Sequence, residues 1–357
     1  MSGDYSSLTK FVRETIVEPR LEFNHLKTTK SAINSIINEF QKLGWTTEHV
    51  ENTKSKVPKH RIISKDGSII LSMSSAKVFR HPMYTEQICQ RKHLTKRMLA
   101  FEKLPIPAGS DFSPTEKNIA RAFFGKIPKP VVIKPTNSGG SHGVTVGVLT
   151  IEDFESAWNF AIDEGGSNSS VLIEEFVRGI ELRVLVIGDQ VVSIVARIQP
   201  FVVGDGKSEL SFLIKEAENA RKVHYRAMQL PVVIDWNFVS KRGYSSESVP
   251  KEGDIVFLNP LSLLANGAFY VDITDSVCGP IKSMAVNARK AIPGLEVGGI
   301  DILVEDINDV TTAVILEVNT APSLNIHRYA THGQPRAVDL DIVEYFHAQS
   351  LSSVLTK

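Results

Sequence analysis

The stretch VVIKPTNSGGSHGVTVGVL, residues 131–149, decides the fold class of this chain of 357 residues. Residues 131–134 and 144–149 have the composition of strands, and a glycine-rich loop joins them. The stretch therefore predicts a hairpin lid rather than the strand–loop–helix of a P-loop or dinucleotide-binding crossover. Backbone N–H groups of this loop, with the hydroxyls of Ser138 and Ser141, could hold a polyphosphate. A flexible turn that needs glycine only for its positive φ is the open alternative.

The residues around this hairpin predict helices and a pattern that becomes antiparallel toward the C-terminus. Residues 86–103 and 151–164 have helical spacing. Residues 171–177 form an apolar strand that runs out into a hinge. Residues 182–187 and 191–197 flank a Gly-Asp-Gln turn, which indicates a second hairpin.

Two late predicted strands carry acidic and amide side chains. Asp301 begins the strand predicted for residues 301–305, whereas Glu317 and Asn319 end the strand predicted around residues 313–318. Because Glu317 and Asn319 are two residues apart, their side chains lie on one face. Hard oxygen ligands that converge at strand ends suit Mg²⁺. An ordinary acidic strand end is the alternative interpretation.

The acidic segment Glu-Glu-Phe-Val, residues 174–177, follows the hairpin. A strand that leaves its sheet exposes a peptide N–H and a C=O, which could read the edge of an adenine. Phe176 and Val177 would add an apolar wall, and Glu181 could accept hydrogen bonds from ribose hydroxyls. Considered alone, the segment favours the alternative interpretation, a solvated acidic hinge.

The composition excludes several classes of protein. Forty Lys and Arg residues balance forty Asp and Glu residues, so no strong overall field favours nucleic acid or an anionic membrane. Cys89 and Cys278 are too few for a disulfide scaffold or a four-thiolate zinc site. No apolar stretch approaches the length of a membrane span, and the N-terminus does not resemble a signal peptide. We therefore expect a cytoplasmic enzyme or ligand-binding protein.

The order of these motifs resembles the ATP-grasp superfamily, whose members hold ATP between two α+β lobes. The resemblance covers about residues 88–348. It is nearest to the branch that contains cyanophycin synthetase and the ATP-grasp half of bifunctional glutathione synthetase. The stretches that carry it are residues 92–99 before 105–107, 183–187, 203–207, 299–301, 317–322, and His327 followed by 333–336.

The resemblance implies a fold class that combines α+β and α/β parts. Two α+β lobes would form an ATP-grasp fold around ATP, and a small pre-ATP-grasp α/β domain would precede them. The small domain would comprise residues 1–87, identified mainly by position. Residues 88–177 would form the N-lobe with the glycine-rich lid, and residues 178–357 the C-lobe with the metal site.

The resemblance also implies the site residues. Those expected to bind ATP are Lys92, Lys134, Ser138, Gly139, Gly140, Ser141, His142, Glu174, Glu175, Phe176, Val177, Glu181 and Leu316. The expected metal ligands are Asp301, Glu317 and Asn319, which would hold two Mg²⁺ ions, with Mn²⁺ able to substitute. The expected substrate contacts are Ser323, His327, Arg336 and Asn266.

Arg183 and Arg197 are the expected catalytic residues, because they lie on facing strands of one hairpin. A cationic pair there could neutralise a transferring phosphoryl group and an acyl phosphate. Cross-strand surface salt bridges are the alternative. His327 could likewise be a core or capping histidine. The segment Ser-Leu-Leu-Ala-Asn-Gly-Ala, residues 262–268, is more apolar than its counterpart in the related synthetases, so we expect a different substrate pocket.

The activity implied by the resemblance is that of an ATP-dependent carboxylate–amine ligase. A carboxylate, expected on an amino acid or small peptide, would become an acyl phosphate. An amine would then form an amide, with release of ADP and phosphate. The partners expected are small molecules, without nucleic acid or membrane, and a homodimer is left open by analogy. The alternatives are a ligase for a protein or carrier-protein terminus, and a non-catalytic ATP-binding regulatory protein.

Overall fold

The computed structural model describes residues 5–50, 59–74, 77–137, 142–166 and 169–355. The first elements are α1 (Ser6–Val12), a π-helical turn (Arg13–Val17), α2 (Ala32–Lys42), β1 (Thr46–Val50), β2 (Lys59–Ile63), β3 (Ile70–Ser74) and β4 (Lys77–Phe79). The four strands form an antiparallel sheet in the order β1-β2-β3-β4. Helix α2 begins after Ser31, whose hydroxyl accepts a hydrogen bond from the Asn34 N–H at 3.4 Å.

The next part of the chain forms a second antiparallel sheet with four helices. Its elements are α3 (Met83–Gln90), α4 (Lys92–Phe101), β5 (Gly109–Phe112), α5 (Lys117–Lys126), β6 (Val131–Pro135), β7 (Thr145–Val148), α6 (Ile151–Gly165) and β8 (Val171–Glu175). The sheet order is β5-β8-β6-β7. Strands β6 and β7 pair antiparallel, which confirms the predicted hairpin. A capping box in which Thr150 and Asp153 bond each other's backbone N–H starts α6.

The helix predicted for residues 86–103 is divided in two at Arg91. This residue has an extended backbone, with φ −110° and ψ 96°, and so ends α3 and precedes α4. The backbone N–H of Lys92 donates to the C=O of Thr136 at 3.2 Å. Helical periodicity is the same on both sides of the break, so the sequence pattern did not reveal it. The break ties the start of α4 to the end of β6.

The C-terminal part contains a five-stranded sheet. Its elements are β9 (Ile180–Ile187), β10 (Gln190–Ile198), β11 (Phe201–Val203), α7 (Leu210–Ala220), α8 (Trp236–Ser240), β12 (Ile255–Phe257), β13 (Phe269–Asp272), α9 (Gly279–Lys290), β14 (Val297–Val304), β15 (Val314–Asn319), α10 (Asn325–Arg328) and α11 (Val338–Leu355). The large sheet has the order β13-β10-β9-β14-β15, and β11 pairs with β12 separately. Within the described residues, no helix has the length and apolar character of a membrane span.

The register of the five-stranded sheet aligns polar side chains across four of its strands. Arg183 on β9 is the cross-strand partner of Asp301 on β14, and Asp301 is the partner of Glu317 on β15. On the other side, Val195 of β10 pairs with both Arg183 and Asp272 of β13. Cross-strand partners share a face of an antiparallel sheet. We call the four polar side chains of this register, Arg183, Asp301, Glu317 and Asp272, the polar row.

The prediction that Asp301 begins a strand was wrong, because β14 already begins at Val297. Gly298 and Gly299 both belong to β14 and pair with β9. At Gly299 a Cβ atom would lie 2.7 Å from the Cβ of Pro322, so the close approach of that loop requires glycine. Asp301 is therefore held within a strand rather than at its end.

The two faces of β9 contact different hydrophobic clusters. Leu182 and Val184 belong to the cluster that includes residues of α1 and α9. Leu185 and Ile187 point to the other face and belong to a cluster that contains Phe40 of α2 and buried residues of α11. The face of β9 that carries Arg183 of the polar row thus continues as an apolar surface at Leu185 and Ile187. The N-terminal sheet and α11 cover this apolar part of the face.

Replacing Phe346 of α11 by alanine should lower the free energy of unfolding by about 3–5 kcal/mol. The ring is 1% exposed and belongs to the cluster shared by α2, β3 and β9, so its removal leaves a cavity. Leu351→Ala on the same helix is the control, because that side chain is 55% exposed. Urea unfolding of both variants checks the prediction, and equal stability would contradict this packing.

Candidate active site

A cavity of about 360 Å³ lies between the four-stranded sheet that contains β6 and β8 and the five-stranded sheet. One side presents lysines, and the other presents carboxylates and guanidiniums. The predicted site residues that line it are Lys92, Lys134, Glu174, Glu175, Phe176, Val177, Glu181, Arg183, Arg197, Asp301, Leu316, Glu317 and Asn319. Residues that the sequence placed far apart are therefore brought to one cleft.

On the first side, Glu174 of β8 holds two lysines. Lys134 of β6 donates to one carboxylate oxygen, and the Nζ of Lys96 on α4 lies 2.5 Å from the other. Lys96 also donates to the C=O of Pro107 at 3.1 Å. Burial opposes the charged form of Glu174, but the two ammonium groups outweigh it and lower the pKa of the carboxyl. Both oxygens of Glu174 are engaged by lysines, so it orients cations as well as lining the cleft.

Lys96 is a site residue that the sequence analysis missed. It lies four residues after Lys92 and therefore on the same side of α4. Burial lowers the pKa of Lys96, although Glu174 opposes that shift. Burial likewise lowers the pKa of Lys92, and the carboxylate of Glu317 opposes it across the cleft. The i,i+4 spacing of the two lysines was the signal that could have identified Lys96.

On the second side, two arginines share one carboxylate. Arg183 bonds both oxygens of Asp301, with its Nη2 3.0 Å from Oδ2, and Arg197 lies 3.2 Å from the same oxygen. Arg197 also donates to Glu181, whose other oxygen accepts a hydrogen bond from Ser262. Burial opposes ionisation of Asp301, but the two guanidiniums outweigh it and keep its pKa below the usual value. These arginines form buried ion pairs rather than the surface salt bridges considered as the alternative.

The remaining acidic residues suit a divalent cation. Burial, together with the neighbouring Asp301 carboxylate, raises the pKa of Glu317. The amide of Asn319 lies beside them, with its nitrogen 3.5 Å from Oδ2 of Asp301. Two carboxylates and an amide oxygen are donors that Mg²⁺ accepts, and a cation would relieve the repulsion between Asp301 and Glu317. Among the described residues, no cluster of three His, Cys, Asp or Glu side chains has metal-ligand geometry. The predicted set holds only two such residues, so it depends on the amide and on other oxygens.

Four residues of the predicted lid, Ser138, Gly139, Gly140 and Ser141, lie outside the described residues. His142 is described, and its Nδ1 lies 3.7 Å from the carboxylate of Glu164; neither residue is among those that line the cavity.

The four predicted substrate residues do not line the cavity. Arg336 binds Asp272, an end member of the polar row, and also Asp275 at 2.6 Å, so it lies on the β13 side of that row. Asn266 lies in a one-turn 3₁₀-helix. Ser323 follows Pro322 in the loop after β15.

His327 occupies a different environment from the substrate contact that the resemblance implied. Its ring is fully buried, and Nδ1 lies 2.8 Å from the hydroxyl of Ser193 on β10. Burial lowers the pKa of this imidazole to about 3, and Arg183 adds to the shift. This location agrees with the core histidine that was left open as the alternative.

The cavity also has a wall that the sequence analysis did not identify. Tyr5, Ser7 and Leu8 line it, and no motif marks them, because they reach the cleft only through long-range packing. Residues 260–263 line it as well, and Ser262 and Leu263 belong to the segment that was expected to change the substrate pocket.

Comparison with known proteins shows which family model and which solved structures this chain is similar to. Residues 105–220 match the family described as D-ala D-ala ligase C-terminus. A crystal structure of a bifunctional glutathione synthetase from Pasteurella multocida superposes with a TM-score of 0.59 at 22% identity, covering 89% of this chain and 43% of that one. The chain has an ATP-grasp fold. The predicted fold class is thereby confirmed, and the family match over residues 105–220 agrees with the predicted superfamily.

Relatives of this ATP-grasp chain are considerably longer. It is 25% identical to the glutathione biosynthesis bifunctional protein of Clostridium perfringens, over 94% of this chain and 46% of that protein. The Enterococcus faecalis protein of the same name is 30% identical, with coverage of 73% and 36%. Cyanophycin synthetase of Synechocystis is 29% identical, with coverage of 71% and 30%. The chain thus spans less than half the length of these relatives.

Replacing Lys96 by methionine should lower the free energy of unfolding near neutral pH by roughly 1–3 kcal/mol, because Glu174 loses one of its two cations. In the native protein the pKa of Glu174 is held low, so its stabilisation is present above the ordinary glutamate pKa and is lost as the pH falls. The deficit of the variant should therefore shrink below about pH 4. Arg97→Met, at an exposed position of α4, is the control. Urea unfolding at both pH values measures the effect, and equal deficits for the two variants would refute it.

Replacing His327 by glutamine should make stability less dependent on acid pH. Between the unfolded pKa of 6.5 and the folded pKa of about 3, only the unfolded chain takes up the imidazole proton. The free energy of unfolding of the native protein therefore falls as the pH drops through this range. The variant should show a shallower slope, whereas Ser193→Ala should keep it, because the buried imidazole remains. Unfolding measured across this pH range decides between them, and an unchanged slope in the glutamine variant would be contrary evidence.

Proposed function

We propose that this chain is an ATP-dependent carboxylate–amine ligase that forms an amide through an acyl phosphate. The observation that carries the proposal is one cavity in which Lys92 and Lys134 face the Arg183–Asp301 pair and Glu317. The names of the relatives, glutathione biosynthesis protein and cyanophycin synthetase, support amide formation on amino acids or small peptides.

The nucleotide would lie along the cleft. Lys92 and Lys134 would contact its phosphates, and Glu174 would fix the direction of Lys134. The backbone of residues 175–177 and the apolar side chain of Leu316 would hold the adenine, because β8 ends at Glu175 and the following residues line the cavity. Glu181, oriented by Arg197 and Ser262, would accept hydrogen bonds from the ribose.

The chain then turns sharply from this hinge into β9. Gly179 has φ +138°, and a Cβ atom there would lie 2.5 Å from the C=O of Val304. Only glycine fits this close approach, which brings Glu181 to the cavity beside residues 175–177.

Asp301, Glu317 and Asn319 would bind Mg²⁺ at the phosphate end of the cleft. Bound there, the cation would neutralise phosphate oxygens. A second ion, and replacement by Mn²⁺, remain part of the proposal.

In the reaction, a substrate carboxylate oxygen would attack the γ-phosphorus of ATP, and ADP would leave. The amine nitrogen would next attack the acyl carbon, lose a proton and displace phosphate, which leaves an amide. Arg183 and Arg197 would stabilise the charge on the transferring phosphoryl group, because their ion pairs fix both guanidiniums before substrate binds. Catalysis would thus come from positioning and charge neutralisation.

The remaining features of the proposal concern organisation and partners. We propose the division into residues 1–87, 88–177 and 178–357 and small-molecule carboxylate and amine substrates, with Arg336 at the substrate end of the polar row. A cytoplasmic location and a homodimer stay predictions of the sequence.

Replacing Glu317 by alanine should reduce ATP-dependent release of ADP at least a hundredfold, on the order expected when a group that stabilises the transition state is lost. Glu305→Ala is the matched control, because Glu305 is exposed just beyond β14. A screen of amino acid and amine pairs with ADP detection, followed by mass spectrometry of the products, provides the assay. Thermal unfolding should show that both variants fold.

The products distinguish the proposal from other ATP chemistry. Release of ADP and phosphate with an amide product supports the acyl phosphate. Release of AMP and pyrophosphate would overturn that route, and full activity in Glu317→Ala would overturn the metal assignment.

A further inference from the structure

The segment that begins at Tyr5 is packed onto the C-terminal part of the chain. Leu8, Phe11, Val12 and Ile16 are buried in the same cluster as the apolar face of β9. Arg13 donates from Nη2 to the C=O of Gly253 at 3.1 Å. Although these residues fall within the proposed unit of residues 1–87, they pack into the core that also contains the apolar face of β9.

Tyr5 anchors the start of this segment. Its ring lies 5.4 Å from that of Phe257 and 5.9 Å from that of Phe238, measured between centroids. The guanidinium carbon of Arg242 lies 4.1 Å from the same ring, at cation–π distance. Three side chains from one part of the C-lobe therefore hold Tyr5, which fixes the position of α1.

The anchored segment forms one wall of the cavity. Tyr5, Ser7 and Leu8 line it together with Arg178 and Gly179 of the hinge. Helix α1 contacts β9, which begins directly after that hinge, and the chain beyond Phe257 lines the cavity at residues 260–263. The N-terminal residues thus share their end of the cleft with the segments proposed to hold base and ribose.

We infer that residues 5–8 form a base-contacting wall of the nucleotide site, so that the N-terminus of the chain determines nucleotide affinity. This inference rests on the proposed function, because it assigns a ligand to the same cleft. Tyr5 and Leu8 supply apolar surface of the kind that suits a purine face. Ser7 supplies a hydroxyl that can donate to or accept from the base. The wall would thus add side-chain contacts to those of the hinge backbone.

Substitution of Ser7 by tryptophan tests this inference with a matched control. The indole would enter the space that the base occupies, so we expect the affinity for ADP with Mg²⁺ to fall at least tenfold. Ser6→Trp alters the neighbouring residue of the same helical turn, which is exposed and does not line the cavity. That variant should bind ADP within about twofold of the native protein. The tenfold loss expected for Ser7→Trp corresponds to about 1.4 kcal/mol of binding free energy. Isothermal titration calorimetry of the full chain measures both, after thermal unfolding has established that each variant folds.

A second measurement uses the unaltered chain and so does not depend on how a variant folds. Addition of ADP with Mg²⁺ should slow amide hydrogen exchange in residues 5–12, because contacts with the base would stabilise α1 against local opening. Equal ADP affinity in Ser7→Trp and Ser6→Trp, or unchanged exchange in residues 5–12 when ADP binds, would overturn the inference alone. Absence of ADP binding to the native chain would overturn it together with the proposed function.

Discussion

The ion pair between Arg183 and Asp301 is the interaction on which the arrangement of the cleft depends. Both side chains are largely removed from water, and a buried charge without a partner is strongly destabilising. Their cross-strand register allows Arg183 to bond both carboxylate oxygens. A one-residue shift of β14 against β9 would turn Asp301 to the opposite face, which belongs to the hydrophobic core. The charge pair and the register therefore support each other, and the position of Glu317 on the next strand follows from that register.

The facing sheet solves the same problem with the same arrangement of charges, in which one buried carboxylate lies between two cations. Glu174 is its buried anion, and Lys134 and Lys96 are the cations around it. Each side of the cleft is thus a charge cluster whose geometry is fixed by ion pairs within the protein. For a reaction in which charge neutralisation dominates, such preorganisation means that little rearrangement is required when substrate binds. It also explains why Lys96, which does not line the cavity, belongs to the same functional unit.

Local signals predicted much of this structure, and long-range contacts account for the remainder. The β6–β7 hairpin and the paired strands β9 and β10 were evident because turn residues and apolar runs are read from neighbours in sequence. The position of Asp301 inside β14 was missed, because the strand already includes Gly298 and Gly299. The reason for glycine at position 299 is the close approach of Pro322, which the local pattern does not show. The sequence left open whether His327 is a core residue or a substrate contact, and it gave no sign that Tyr5 approaches the cleft. In each case the deciding partner lies far along the chain, where periodicity carries no information.

The boundary between the polar cavity and the hydrophobic core lies on one strand, β9. On one face of β9 the side chains run Glu181, Arg183, Leu185 and Ile187, so two charged residues are followed by two apolar ones. The apolar pair is covered by the cluster that includes α2 and α11. That cover cannot extend over the charged pair, because apolar side chains there would leave the carboxylates and guanidiniums without polar neighbours. The cavity therefore begins where the charged side chains of β9 begin. The cluster formed by α2 and α11, which covers Leu185 and Ile187, marks the limit of the cavity along this strand.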